Sequence, residues 1–151
     1  MTELILLGGV VGTGKTTIAE SLSRRAGFVH LDWDVIVPAE ELLRRARSLL
    51  QQGQDVVISE WFHPSHGNVE KVRDAIRGID VRVYFLRLTA SLRICLSRKP
   101  DVAHHVSCNH ALEQTASYPV PWKMMVNDGE KDPESIAEDI LKMLRGQIRV
   151  P

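Results

Sequence analysis

Apolar positions in this chain come in short blocks that change period. Leu4 to Leu7 is a continuous apolar run, as expected of a strand covered on both faces. From about Lys15 to Ala26 the spacing turns helical, with Ile18, Ala19, Leu22 and Ala26 on one face and Gly27 suited to a left-handed end. Phe28 to Leu31 predicts a short second strand leading into Asp32-Trp33-Asp34. The next helix has Pro38 at its start, Glu40 and Glu41 in its first turn, Arg44, Arg45 and Arg47 later, and Gly53 past its end. That order suits the helix dipole. Val56 to Ser59 predicts a third strand ending at Glu60, Val69 to Ile76 a helix, Val81 to Leu88 a fourth strand, and Ser91 to Ser97 the start of another helix. About Lys99 to Asn109 has no clear period. Lys123 to Val126 predicts a short fifth strand. The last helix takes Asp132 as N-cap and Pro133 at its first position, buries Ile136, Ile140, Leu141 and Leu144, and stops at Gly146. Strands alternating with helices point to βα units and a parallel sheet.

Size and charge narrow the classes. The 151 residues fit one compact domain, without repeats or a linker. Lys plus Arg and Asp plus Glu are equal at 19 each, which disfavours a general nucleic-acid binder. No apolar run approaches the roughly 20 residues of a membrane helix, and the first residues lack the basic leader of a signal peptide. Cys95 and Cys108 are in no metal-site spacing and read as free thiols of a reducing cytoplasm.

One motif carries chemistry. Gly9-Val10-Val11-Gly12-Thr13-Gly14-Lys15-Thr16 fills the pattern G-x-x-x-x-G-K-[ST] between a strand and a helix, the context a phosphate-binding loop requires. Its glycines let backbone N–H groups turn toward a β-phosphate, and the helix offers its positive dipole end there. Lys15 supplies charge to the β- and γ-phosphates, and the Thr16 hydroxyl is placed to bind Mg²⁺. Thr17 completes the loop. The cofactors expected are ATP and Mg²⁺.

Acids then fall at strand ends, where open parallel sheets bind ligands. Asp32 is read as the Mg²⁺ partner and Asp34 as the group meeting an acceptor hydroxyl, with the reverse assignment open. Either Asp is also of a type that caps the following segment. Glu60 has three readings of equal weight: a ligand of a metal-bound water, a substrate contact, or a solvated strand end.

With this loop and the Asp-x-Asp, the chain resembles the small-molecule P-loop kinases. That group includes shikimate and gluconate kinases and chloramphenicol phosphotransferases, with the nucleoside monophosphate kinase fold. The match is specific over Gly9–Thr17 and looser at Leu31-Asp32-Trp33-Asp34. The resemblance implies a three-layer α/β/α sandwich and a five-stranded parallel sheet in the order 2-3-1-4-5. It also implies a lid after the fourth strand whose arginines close over the phosphates, here short and around residues 98–110. Arg98 is the first lid candidate and Arg93 the second. It further implies that Val126-Asn127-Asp128-Gly129 lies beside adenine. Ser59-Glu60-Trp61-Phe62-His63-Pro64 departs from the glycine cluster of shikimate kinases, which leaves the acceptor open.

Other residues have two readings each. His104, His105, Cys108 and His110 are surface side chains, lid contacts or, least favoured by their spacing, a metal site. Trp33, Trp61, Phe62 and His63 either line an acceptor pocket or close the core edge. Arg44, Arg45 and Arg47 suit a solvated helix face. The function expected is ATP-dependent phosphorylation of a small-molecule hydroxyl, by a monomer or homodimer. A non-kinase NTP switch is the alternative. Against it, the sequence has no Asn-Lys-x-Asp and no apolar strand ending in Asp-Glu. A polynucleotide 5′-hydroxyl kinase is disfavoured by the neutral charge.

Overall fold

The structure is a computed structural model that describes residues 1–146. Its strands are β1 (Thr2–Gly8), β2 (Val29–Asp32), β3 (Val56–Ser59), β4 (Val81–Thr89) and β5 (Lys123–Val126). They form one parallel sheet in the order β2-β3-β1-β4-β5. The helices are α1 (Lys15–Ala26), α2 (Ala39–Gln51), α3 (Asn68–Ala75), α4 (Leu92–Arg98), α5 (Ala103–Thr115) and α6 (Pro133–Leu144).

Strand alternation makes two cores from one sheet. Ile5, Leu7, Val57, Leu86 and Leu88 face one side, where Ile18 and Leu22 of α1 and Ile136 and Ile140 of α6 close over them. Leu4, Leu6, Val56 and Ile58 face the other, under Leu42, Ala46 and Leu50 of α2 and Val72 of α3. The three-layer sandwich follows, because a parallel sheet must be covered on both faces. Among the described residues no helix is long and apolar enough to cross a membrane.

Local chemistry sets most element ends. Asp132 caps α6, its Oδ1 accepting from Ser135 N at 2.7 Å, with Pro133 first in the helix. Gly27 ends α1 in the left-handed conformation, its N–H donating to Ser23 O at 2.9 Å. Several boundaries differ from expectation, three of them near the cleft. Phe28 precedes β2 rather than opening it, and Asp32 is the strand's last residue, in register with Ser59. Pro38 is the N-cap of α2, one residue before the helix. The aperiodic stretch after Lys99 is a 3-10 turn followed by α5. That helix escapes a pattern search because it buries only Val106 and has no apolar stripe to read.

Candidate functional site

The loop between β1 and α1 is wound by glycine. Gly9 has φ 146°, and a Cβ there would stand 2.6 Å from Thr13 Oγ1 and 2.7 Å from Leu88 O. Gly12 has φ 90°, and its Cβ would meet the Cys95 side chain of α4 at 2.9 Å. Neither position admits a side chain. Gly14 opens α1 without a side-chain cap, so the first-turn N–H groups of Lys15, Thr16 and Thr17 keep their donors for a ligand. Thr13 is fully buried and ties the turn together through Oγ1 to Val10 O at 2.8 Å. Lys15 folds back over the loop, its Nζ donating to Gly9 O at 2.7 Å and Val10 O at 3.0 Å. Burial lowers the Lys15 pKa to about 8, opposed by the charges of Asp34 and Glu60.

Across the carboxyl edge of the sheet, β2 and β3 deliver the acids. Asp32, Asp34 and Glu60 line one cleft with Gly12, Lys15 and Thr16; its volume is about 830 Å³. Asp32 does cap its own turn, as Oδ1 accepts from Asp34 N at 2.9 Å, yet it stays in the cleft wall. Asp34 is solvent-accessible but lies in that concave wall. Desolvation, then the charges of Asp32 and Glu60, hold its carboxyl above the ordinary value. Glu60 is no solvated strand end, being 7% exposed. Its Oε2 accepts from Phe62 N at 2.6 Å and Asn68 Nδ2 at 3.3 Å.

Arg98 also reaches the loop. Its guanidinium donates to Gly12 O at 3.0 Å and Asn127 O at 2.7 Å. Asn127 itself donates from Nδ2 to Thr13 O at 2.8 Å, so the segment after β5 is bonded to the phosphate loop. Arg93 lies elsewhere, in a separate cavity of about 570 Å³ behind the loop, with Leu88, His110 and Met124. The histidines of α5 part company. His104 Nε2 sits 3.6 Å from Cys108 Sγ, His105 Nε2 3.1 Å from Asn109 Nδ2, and His110 Nε2 3.2 Å from Ala90 O. Among the described residues no three His, Cys, Asp or Glu side chains are grouped to hold a metal ion. Of these histidines only His105 lines the cleft with the acids. Of the four aromatics only Trp61 does. Phe62 is 1% exposed in the core, with Trp33 edge-on at 6.1 Å. His63 turns to accept from Ser65 N. Arg44 and Arg45 pair with Glu41 on the exposed face of α2, and Arg47 donates to the carbonyls of Ala75 and Arg77.

No family model matches the sequence, and no curated protein does. Solved structures do. A gluconokinase from Sinorhizobium meliloti 1021 superposes with TM-score 0.62 at 18% identity, over 97% of this chain and 98% of its own. The tunicamycin resistance protein of Deinococcus radiodurans gives TM-score 0.66 at 13% identity, over 99% of each chain. The APS kinase CysC of Mycobacterium tuberculosis, solved with AMPPNP and APS, gives 0.59 at 19%, over 95% and 98%. The chain has the fold of the small-molecule P-loop kinases.

Within this kinase fold the sequence reading overlooked Arg87. It is 1% exposed on β4. Its Nη2 donates to Trp61 O at 2.7 Å, Glu113 Oε2 at 2.9 Å and Tyr118 Oη at 2.5 Å. The guanidinium lies 4.0 Å from the Tyr118 ring centroid and 5.1 Å from that of Trp122. Trp61 Nε1 donates to the same Glu113 oxygen at 2.7 Å. Arg87 therefore joins β4, the segment after β3 and α5. Gly8 leaves room for it, since a Cβ there would stand 2.7 Å from Arg87 Nη1. The available signal was a lone arginine inside the apolar run Val83-Tyr84-Phe85-Leu86-Arg87-Leu88, because a buried charge needs a partner.

Proposed function

We propose that this protein transfers the γ-phosphoryl group of ATP to a hydroxyl of a small molecule. One observation carries this reading: a complete phosphate loop with a partly buried lysine shares a cleft with a carboxylate, Asp34, held above its ordinary pKa. The likeness to an APS kinase solved with AMPPNP supports ATP as donor.

Each residue then has a task. The N–H groups of Gly12 to Thr17 and the Lys15 ammonium bind the β- and γ-phosphates. Arg98, fixed by two carbonyls at the loop, neutralises charge spreading over the transferred group. Thr16 and Asp32 offer hard oxygen donors beside the loop and fit Mg²⁺, which when bound neutralises phosphate charge. Asp34 orients the acceptor hydroxyl and accepts its proton, for which a raised pKa suits it. The acceptor oxygen bonds to the γ-phosphorus as the bond to the β–γ bridging oxygen breaks. ADP leaves with that electron pair.

The test is ADP release from Mg-ATP over a panel of hydroxylated metabolites, nucleosides and antibiotics, beside Lys15→Ala. Release raised by particular acceptors, with matching phosphorylated product, supports the kinase. Equal release in every well, with no phosphorylated product, supports an NTP switch instead.

A further inference from the structure

The charges of the cleft are sorted by end. Its lysines and arginine are Lys15, Arg98 and Lys99, and all belong to the phosphate side. Lys15 is bonded to Gly9 and Val10, and Arg98 to Gly12 and Asn127, with Lys99 next in sequence. The other end holds Asp32, Asp34, Glu60, Trp61 and His66, with His105 from α5. Among the described residues no lysine or arginine lines that end. The nearby arginines are committed elsewhere: Arg87 to Glu113, Arg44 and Arg45 to Glu41, Arg47 to two carbonyls, and Arg73 over the Phe85 ring at 5.6 Å.

An anionic acceptor placed there would meet three carboxylates with no lysine or arginine at that end to answer its charge, and such like-charge contact is costly. A neutral acceptor would leave one carboxylate without work. Phosphoryl transfer as proposed uses Asp34 for the hydroxyl and Asp32 beside the metal. Mg²⁺ sites of this kind need only one or two carboxylates, because phosphates and water complete the shell. Glu60 is the remaining acid. It is more than nine-tenths buried, and its Oε2 is filled by Phe62 N and Asn68 Nδ2. Its Oε1 has only His66 Nδ1, at 4.0 Å, beyond hydrogen-bond distance. This carboxylate oxygen, filled by no protein donor and carried on a side chain otherwise buried in the wall of the cleft, is open to a cationic hydrogen-bond donor from a ligand. Beside it, the Trp61 ring lies 4.9 Å from that of His63 and 5.6 Å from that of His66. Aromatic faces of this kind attract cations and cover sugar-like rings.

We infer that the acceptor is a polyhydroxylated ring bearing an ammonium group, with the ammonium on Glu60, the ring against Trp61 and the reacting hydroxyl at Asp34. This rests on the kinase reading and adds the substrate class to it.

The test uses triads matched in size and differing in charge: glucosamine, glucose and gluconate; and 2-deoxystreptamine, myo-inositol and quinate. Binding to the intact protein with AMPPNP and Mg²⁺ is measured by calorimetry, and phosphorylation by ADP release with product mass. The amine member of at least one triad binds at least about tenfold tighter than its neutral partner, as one charge-assisted hydrogen bond provides, and the carboxylate binds weakest. Glu60→Gln, checked for folding by circular dichroism, reduces that preference about tenfold while neutral members keep their affinity. A carboxylate bound as well as or better than its amine, or no amine favoured in either triad, overturns the inference whether or not phosphate is transferred. That outcome leaves the kinase standing if any member is phosphorylated. ADP release equal in all wells, with no phosphorylated product, strikes the kinase reading instead, while the binding order still decides the charge of the pocket.

Discussion

The two ends of the cleft are built by different means. The phosphate end is local: residues 9–17 follow one another in sequence, and the parts that matter are main-chain N–H groups, glycine dihedrals and one lysine. The end proposed for the acceptor is assembled from the end of β2, the segment after β3 and α5, far apart in sequence. Its parts are side chains, and the buried Arg87, paired with the partly exposed Glu113, bonds the segment after β3 to α5. A backbone site tolerates sequence drift everywhere except at its glycines and lysine. A side-chain site changes ligand whenever one of its elements changes. This explains how a chain can share a fold with a gluconokinase and an APS kinase at 18% and 19% identity and have its own set of three carboxylates in the cleft.

Perturbations should separate the ends. The largest effect is expected from Lys15→Ala, which removes the loop's one cation, proposed to contact the transferred group. Transfer should fall by about 10³-fold or more, on the scale of losing a key electrostatic contact in phosphoryl transfer. Single-turnover kinetics checks this, and retention of a tenth of wild-type rate would show that the loop is not catalytic. Asp34→Asn should lower kcat by about 10²–10⁴-fold, as loss of a general base does. ATP affinity, measured by calorimetry, should stay within about threefold, because no interaction uniform to ground and transition state is lost. An equal loss in ATP affinity would move Asp34 to the phosphate end and make Asp32 the base.

Legibility divides along the same line. The phosphate loop, α1, β3, β5 and the capped start of α6 follow local rules of period, glycine and cap, and each is found where those rules put it. The acceptor end follows no such rule. The residues of α5 have no apolar stripe, because its only buried residue is Val106. Phe62 takes φ 57°, a conformation that a bulky residue adopts only when packing fixes it, and no propensity forecasts that. Arg87 is buried because Glu113, Tyr118 and Trp61 converge on it from 26 or more residues away. Glu60, equally balanced among three roles on sequence grounds, is placed by Asn68 and the Phe62 amide, which no local pattern links to it.

A third perturbation tests whether the ion pair supports the acceptor end. Arg87→Met removes a buried cation and leaves the partly exposed Glu113 with Trp61 Nε1 and Tyr118 Oη as its donors, which should cost about 1.5–3 kcal/mol of stability in urea unfolding. Arg87→Met with Glu113→Leu should regain part of that loss, since a buried pair replaced by apolar groups is tolerated far better than a half-broken one. In whichever variant remains folded, acceptor KM should rise more than ATP KM, because Trp61 and α5 lose their common anchor while the loop keeps its own. Equal rises would mean that Arg87 supports the whole cleft.

The smallest effect separates the ends by pH. Burial sets Lys15 to titrate at about 8 in the free protein, below its ordinary 10.5. Bound phosphates favour the charged amine, so nucleotide binding takes up a proton between the free and bound pKa values. Below pH 8 Lys15 is already charged, and affinity for AMPPNP should be flat. Above it affinity should fall, approaching tenfold per unit, or about 1.4 kcal/mol. Stability of the free protein moves the other way. The folded pKa lies below the unfolded value, so the unfolded chain binds more protons between pH 8 and 10.5, and this lysine's contribution to stability rises with pH across that window. Opposite slopes for binding and unfolding, both absent in Lys15→Met, would identify this one buried amine. Parallel slopes, or slopes that survive in Lys15→Met, would place the titration in another group and leave Lys15 solvated rather than buried against the loop carbonyls.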